Sequence, residues 1–425
     1  MRRGFKVGAS ERASAALARR APGLRFLHRE ATSTTPAFDL AYVRIGPRSQ
    51  RPGLLPAVVI PGGPGLGSVL PYGTLRRLAA TRGLDLIMVE HRGVGLSRRD
   101  ISGHDLPLPA LRVDEVADDI AAVLERERVP LAHIVGSSYG SYLASTFGAL
   151  YPERVAGMLL DSALQSAEHL EIERAAIRQR LWNAGNASSN AVQRLSSTGI
   201  DARILLDVTR AAYELGGDEL LVPLIQQRMR SPRSATWRML EAYATRDASM
   251  TRLPGIYEFD LVGALAFREL GYGGRPDGLP LDPALTYAQL ASHFPPFSGE
   301  PRNLEVTMAS ASWPLVLLSG SRDLRTPPAI AESLARAAPD AVLVPITNGH
   351  SALDTHPAAL LNALAWLMAG KHRALPDVAR AFDRLPRRGV AARFPELLSA
   401  VLRIERFAHP YRARATHDTG AASTT

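Results

Sequence analysis

The five residues Gly136, Ser137, Ser138, Tyr139 and Gly140 constrain this chain more than any others. They stand between a short apolar run of strand type, Leu131 to Val135, and a segment, Tyr139 to Leu150, whose apolar residues recur at helical spacing. A strand must therefore reverse into a helix within one sharp turn, with Ser138 at its apex. Such a turn strains the central residue and brings neighbouring backbone close on both sides, so the flanking positions favour glycine, which has no side chain to clash. The hydroxyl of Ser138 is then held out at the end of the strand, whereas Ser137, one place earlier, faces away from the apex.

A serine hydroxyl is a poor nucleophile near neutral pH and needs a histidine to take its proton and a carboxylate to orient that histidine. On a parallel sheet these partners follow in the order Ser, acid, His, each on a loop at the C-terminal end of a later strand. Trp313 to Ser319 reads as a buried strand, and Asp323 lies in the turn Gly320 to Asp323 after it. Pro327 to Ala338 reads as a helix, Ala341 to Ile346 as the next strand, and Thr347 to His350 as its exit loop. Alone, an Asp in a Ser-Arg-Asp turn is an ordinary cap and a His after Asn-Gly an ordinary loop residue. Together, three residue types in the required order, each after a strand, point to a triad of Ser138, Asp323 and His350. Asp161, after the strand Val155 to Leu160, is the alternative acid. His91, His104 and His133 precede the serine, which is the wrong order for this arrangement.

Acyl transfer also needs donors for the oxyanion of a tetrahedral intermediate, and preorganised backbone amides are the usual source. The amide of Tyr139 is one candidate. The second is Gly63, in the loop Pro61-Gly62-Gly63-Pro64-Gly65 that follows the strand Ala57 to Ile60. That loop lacks the Gly-Lys-Ser/Thr ending and the spacing of phosphate-cradling loops.

The Gly-Gly-Pro-Gly loop, the segment Glu90-His91-Arg92-Gly93-Val94-Gly95-Leu96-Ser97 and the Gly-Ser-Ser-Tyr-Gly turn together resemble the prolyl iminopeptidase and tripeptidyl aminopeptidase branch of the α/β-hydrolase superfamily, over roughly Leu24 to Ala369. The resemblance implies an α/β-hydrolase fold: a mostly parallel, doubly wound sheet with an inserted helical cap domain. It implies a serine peptidase that forms an acyl-enzyme and releases residues or short peptides from free N-termini, with acidic side chains of the cap holding the substrate ammonium and no cofactor or metal. Gly62 and Glu269 are the candidate substrate contacts on this basis. Two departures stand out: Pro61 where the family's loop usually begins with His, and Glu90-His91 where it usually has Asp-Gln. Esterase or specialised-metabolite hydrolase activity would use the same machinery without an ammonium clamp. An inactive binding homologue is a reading of a different class, against which the unsubstituted triad positions argue.

The rest of the chain fits this organisation. Leu24 to Arg29 and Phe38 to Ile45 alternate as an antiparallel edge hairpin, Leu84 to Val89 reads as a buried strand, and Leu111 to Arg126 as a crossover helix. Between Asp161 and Trp313 strand-like runs give way to helix-patterned segments: Glu168 to Leu181, Ala202 to Glu214, Glu219 to Met229, Ser234 to Thr245 and Leu261 to Leu270. Pro357 to Met368 reads as a final packing helix. The expected divisions are a basic N-terminal extension (1–23), a core in two parts (24–163 and 311–370), a helical cap (164–310) and a basic C-terminal extension with a disordered tail (371–425).

With 425 residues, 46% of them hydrophobic, the chain can bury a full core and a second domain. It has no cysteine, which excludes disulfides, thiolate nucleophiles and Cys-ligated metals. The net charge of +9 is almost entirely arginine scattered along the chain, with Lys6 and Lys371 the only lysines, and marks no nucleic-acid surface. No run reaches the ~20 apolar residues of a membrane span, and no apolar stretch follows the first basic residues as a secretory leader would require. The expectation is a cytoplasmic protein acting on a small molecule or short peptide, with neither nucleic acid nor membrane as partner. Oligomeric state is not legible.

Overall fold

The computed structural model describes residues 8–47, 54–245, 252–387 and 390–408. Eight strands form one sheet: β1 (Leu24–Arg29), β2 (Phe38–Ile45), β3 (Ala57–Ile60), β4 (Leu86–Val89), β5 (Ala132–Ser137), β6 (Val155–Asp161), β7 (Leu315–Gly320) and β8 (Ala341–Ile346). Their spatial order is β1-β2-β4-β3-β5-β6-β7-β8. β1 pairs antiparallel with β2, and β2 antiparallel with β4. Every pairing from β4 to β8 is parallel.

A parallel sheet must be covered on both faces, so its strands read as continuous apolar runs rather than alternating ones. Alternate residues nevertheless enter different cores. Val58, Ile134, Leu315 and Leu317 pack on one face, with α3 (Val113–Arg126) and α4 (Tyr139–Leu150). Val59, Val135, Val316 and Leu318 pack on the other, with α2 (Gly73–Thr81) and α14 (Pro357–Met368). The sequence order of strands reverses direction between β3 and β5, which are direct neighbours with Ile60 opposite Gly136. A crevice opens outside the strand ends at such a switch point. Here it sets the loop after β3 beside the turn after β5.

Between β6 and β7 the chain leaves the sheet. It forms α5 (His169–Leu181), α6 (Ala187–Ser196), α7 (Ala202–Arg230), α8 (Ala235–Ala244), α9 (Phe259–Leu270), the short α10 (Leu285–Ala288) and α11 (Leu304–Ala309). A two-residue antiparallel pair, Arg252–Leu253 with Tyr257–Glu258, interrupts this helical insertion. The two helices expected here, Ala202 to Glu214 and Glu219 to Met229, are both present: α7 consists of two helical halves broken at Gly217, whose backbone (φ 62°, ψ −156°) is not helical. α6, which sequence periodicity missed, is set by an Asn186/Ser189 capping box.

Both terminal regions contribute to the packing. α1 (Ala9–Ala18) places Ala18 against Val43 and Val69, and its Glu11 pairs with Arg99 and Arg252 at 2.8 Å each. Beyond the insertion, α12 (Pro328–Ala337) links β7 to β8 and the short α13 (Ala352–Thr355) precedes α14. After α15 (Leu375–Phe382), α16 (Val390–Ala408) buries Leu398 and Leu402 among the residues of α5 to α8. The expected disordered tail, Thr416 to Thr425, lies outside the described residues. Among the described residues no helix is long and apolar enough to cross a membrane.

Candidate active site

Ser138 stands between β5 and α4 with φ 54° and ψ −123°, a conformation that L-residues rarely adopt and that persists only where surroundings enforce it. The enforcement is steric. A Cβ on Gly136 would lie 2.1 Å from the carbonyl oxygen of Gly140, and one on Gly140 would lie 2.2 Å from that of Ile60. No side chain fits at either place, so the turn packs directly onto the end of β3. The Ser138 amide is anchored by the carbonyl of Asp161 at 2.9 Å.

His350 Nε2 lies 2.8 Å from Ser138 Oγ. Its Nδ1 lies 3.0 Å from both carboxylate oxygens of Asp323, which also accept from the amides of Arg325 and Thr326 at 3.0 Å each and from Thr326 Oγ1 at 2.8 Å. Burial alone would raise the pKa of Asp323, but His350 and the Thr326 amide outweigh it and hold the carboxyl at about 2. For His350, burial favours the neutral ring, and the charge of Asp323 more than reverses this, raising its pKa. The three residues that sequence order selected thus form one hydrogen-bonded line, although 212 positions separate Ser138 from His350.

Asp161, the alternative acid, makes no hydrogen bond to His350. Its carboxylate accepts from Ser137 Oγ at 2.6 Å and from the amides of Ala352 and Leu353 at 3.0 and 2.9 Å, just beyond His350. Burial pushes its pKa up to about 6. Ser137 is fully buried and bonded to Asp161, facing away from the apex as expected. His91 is buried with its pKa lowered to about 4 by burial, and its Nε2 lies 2.9 Å from the Tyr139 hydroxyl. Glu90 accepts from the amides of Ser68 and Val69 and so braces the segment that follows the glycine loop.

A cavity of about 170 Å³ lies over this line, with Gly62, Gly63, Ser138 and His350 in its wall. A Cβ on Gly62 would stand 3.2 Å from Ser138 Cβ and 3.7 Å from Oγ, so the loop lies flush against the serine. Tyr139, as first residue of α4, has an amide without an intrahelical acceptor. The inserted helices supply the roof, including Leu170, Leu270, Tyr272 and Tyr287.

Glu269 does not line this cavity. Its carboxylate accepts from the Val113 amide at 2.8 Å and from Arg268 at 2.9 Å, capping the start of α3. Its expected role as a substrate contact is thereby corrected: the acid at the end of the apolar helix α9 serves a helix N-terminus whose free amides attract negative charge. Two acids do reach the cavity: Asp354, which accepts from the hydroxyls of Tyr72 and Ser351 at 2.7 and 2.6 Å, and Glu173, on α5. Burial raises the pKa of Glu173 to about 7 against the opposing charge of Arg210, whose Nη1 donates to it at 2.9 Å. Nothing local in the sequence marks Glu173, since its position depends on how α5 docks over the sheet. Among the described residues no group of three or more His, Asp or Glu side chains is arranged to hold a metal ion.

Strand order, the serine turn and the acid and histidine on later strand exits now stand together, and residues 56–210 match the family model described as alpha/beta hydrolase fold. The fold is the α/β-hydrolase fold. Solved structures share it at low identity. The proline iminopeptidase of Mycobacterium smegmatis is 14% identical with a TM-score of 0.50, covering 82% of this chain and 99% of that one. VinJ is 13% identical at a TM-score of 0.50, covering 81% and 98%. An esterase from Thermogutta terrifontis is 19% identical at a TM-score of 0.44, covering 82% and 99%. A comparison with curated proteins found no match. At these identities the likeness extends to the α/β-hydrolase fold and no further.

Proposed function

We propose that this chain is a serine hydrolase of small amide or ester substrates and, in the finer reading, an aminopeptidase releasing residues or short peptides from free N-termini. The observation that carries the reading is the unbroken line Asp323–His350–Ser138 opening into a roofed cavity. Ser138 Oγ attacks the substrate carbonyl carbon as its proton passes to His350 Nε2, and Asp323 orients and stabilises the resulting imidazolium. The amides of Gly63 and Tyr139 receive the oxyanion. His350 returns the proton to the leaving group as the carbon–heteroatom bond breaks. Water then attacks the acyl-enzyme, giving a proton to His350, which passes it to Ser138 Oγ as the acyl–oxygen bond breaks and the acid product leaves. The roof excludes bulk water, which strengthens each of these interactions.

Glu173 supports the aminopeptidase reading, as a carboxylate of the cavity wall available to a substrate ammonium, whereas Asp354, the other acid of that wall, is engaged by two hydroxyls. The esterase reading draws on the same place: Arg210 and Arg325 also line the cavity and offset the charge of Glu173. The experiment is a fluorophosphonate probe with peptide mapping, followed by assays on aminoacyl amides, short peptidyl amides and aryl esters. An adduct on Ser138 with amide turnover is the expected result. Ester turnover with inert amides selects the second reading. An adduct elsewhere, or inertness toward both substrate types, overturns the proposal.

A further inference from the structure

A second cavity, of about 430 Å³, opens on the other side of His350. It shares Leu66, Tyr257, Arg325, His350, Ser351 and Asp354 with the first cavity but does not include Ser138, Gly62 or Gly63. In acyl transfer the imidazole hands its proton to the departing group, so that group lies on the side of the imidazole, away from the oxyanion donors. Given the hydrolase reading above, the second cavity is the leaving-group side.

Two guanidinium groups in its wall face no carboxylate partner among the described residues. Arg322, in the turn after β7, reaches only the Glu214 carbonyl, at a long 3.4 Å from Nε. Arg387, after α15, donates to Asn348 Oδ1 at 2.8 Å and to the carbonyls of Thr355 and Thr347 at 3.1 and 2.8 Å, all neutral acceptors. Burial lowers the pKa of both, and the charge of Arg322 lowers that of Arg387 further. The acids of the same wall are engaged elsewhere or face solvent. Glu214 pairs with Arg325 at 3.3 Å, Asp354 accepts from the hydroxyls of Tyr72 and Ser351 at 2.7 and 2.6 Å, and Glu396 is exposed on α16. Asp383 offsets both charges from a distance, but two part-buried cations with no carboxylate in ion-pair reach among the described residues remain costly, and a carboxylate between them would relieve that cost through charge-assisted, fork-like hydrogen bonds.

We propose that Arg322 and Arg387 form a carboxylate subsite for the leaving group. The substrates are then small molecules whose departing portion ends in an anion, as the free C-terminus of a short peptide does.

The test pairs two substrates with the same acyl group, the L-alanyl amide of 4-aminobenzoate and that of its neutral methyl ester. The wild type should favour the anionic amide in kcat/KM, mainly through KM. Arg322→Gln should shrink that preference roughly ten-fold or more, with partial recovery in Arg322→Lys. No preference in the wild type, or one untouched by Arg322→Gln, overturns the subsite. Calorimetric titration of the Ser138→Ala protein with 4-aminobenzoate decides the matter without turnover. Binding that is lost on adding Arg322→Gln supports the subsite, and no binding overturns it. If neither amide is cleaved, the hydrolase reading fails while the titration still judges the subsite. Inorganic phosphate binding as tightly as 4-aminobenzoate, without inhibiting cleavage of the anionic amide, would make this a free-anion site and overturn the leaving-group assignment.

Discussion

Nδ1 of His350 is equidistant from the two oxygens of Asp323, 3.0 Å from each. The proton on that nitrogen is therefore fixed, and Nε2 is left to face Ser138. Because Asp323 raises the pKa of His350, the neutral base forms only above the ordinary 6.5. The rising limb of kcat/KM against pH should lie above that value. For stability the sign is that of a raised base: His350 contributes fully below 6.5 and loses its contribution as pH rises through its folded pKa. Asp323, held at about 2, contributes above its ordinary 3.8 and loses that contribution as pH falls toward 2. Asp323→Asn should move the limb to lower pH and reduce kcat roughly 10³- to 10⁴-fold, as read from pH–rate profiles.

Asp161→Ala should act through His350 without touching it. The change leaves the amides of Ala352 and Leu353 without their acceptor in a buried setting and the Ser137 hydroxyl with only Ser351 Oγ, at 3.0 Å. Each unsatisfied group costs about 1–3 kcal/mol, so the denaturation midpoint should fall by an amount equivalent to about 2–5 kcal/mol. The loop carrying His350 loosens with it, and kcat should drop more than KM rises. A variant with wild-type kcat would show that the loop is held by other contacts.

Gly140→Ala places a methyl group 2.2 Å from the Ile60 carbonyl oxygen and 2.5 Å from that of Pro61. Both are backbone atoms at the end of a central strand and cannot swing aside. Urea denaturation should register a loss of about 3 kcal/mol or more. An unchanged midpoint would mean that the serine turn is not packed against β3.

Glu173→Gln separates the two substrate readings. If its carboxylate holds an ammonium, the ratio of kcat/KM on free over N-acetylated substrates should fall about ten-fold, the scale of one charged hydrogen bond. An unchanged ratio would favour the ester reading.

Much of the sheet was legible because each strand is a short apolar run closed by glycine or a polar turn. The edge hairpin Leu24–Arg29 and Phe38–Ile45, the strand Ala57–Ile60 and the strand Ala341–Ile346 have the residues expected of them. The positions of Ser138, Asp323 and His350 followed from the same logic, since a strand exit is a local feature. The insertion was harder. Gly216 and Gly217 interrupt the apolar period of α7, and the helix does break at Gly217 as expected, whereas the neighbouring α6 was not marked by its apolar spacing. Glu269 and Glu173 look alike in sequence, each an acid on a helix. What distinguishes them is tertiary: one docks 156 positions away on the Val113 amide, and the other points into a cavity that exists only after the helices close over the sheet. Arg322 and Arg387 likewise come together only through the fold.

The segment after 371, expected as a basic appendage, holds α16, and its Leu398 and Leu402 are almost wholly buried among the inserted helices. Glu405 accepts from the Thr236 amide and from Ser234 Oγ at the start of α8, at 3.2 and 2.9 Å. Trimming the gene to a shorter unit ending near residue 387, after α15, would strip roughly 1.5–3 kcal/mol for each of those leucines from the covering helices while keeping Leu375, Ala379 and Phe382 of α15 in the core beneath the sheet. Such a product would keep its reactive serine but lose the shape of the chamber around it, so shortened versions should become indiscriminate before they become inert.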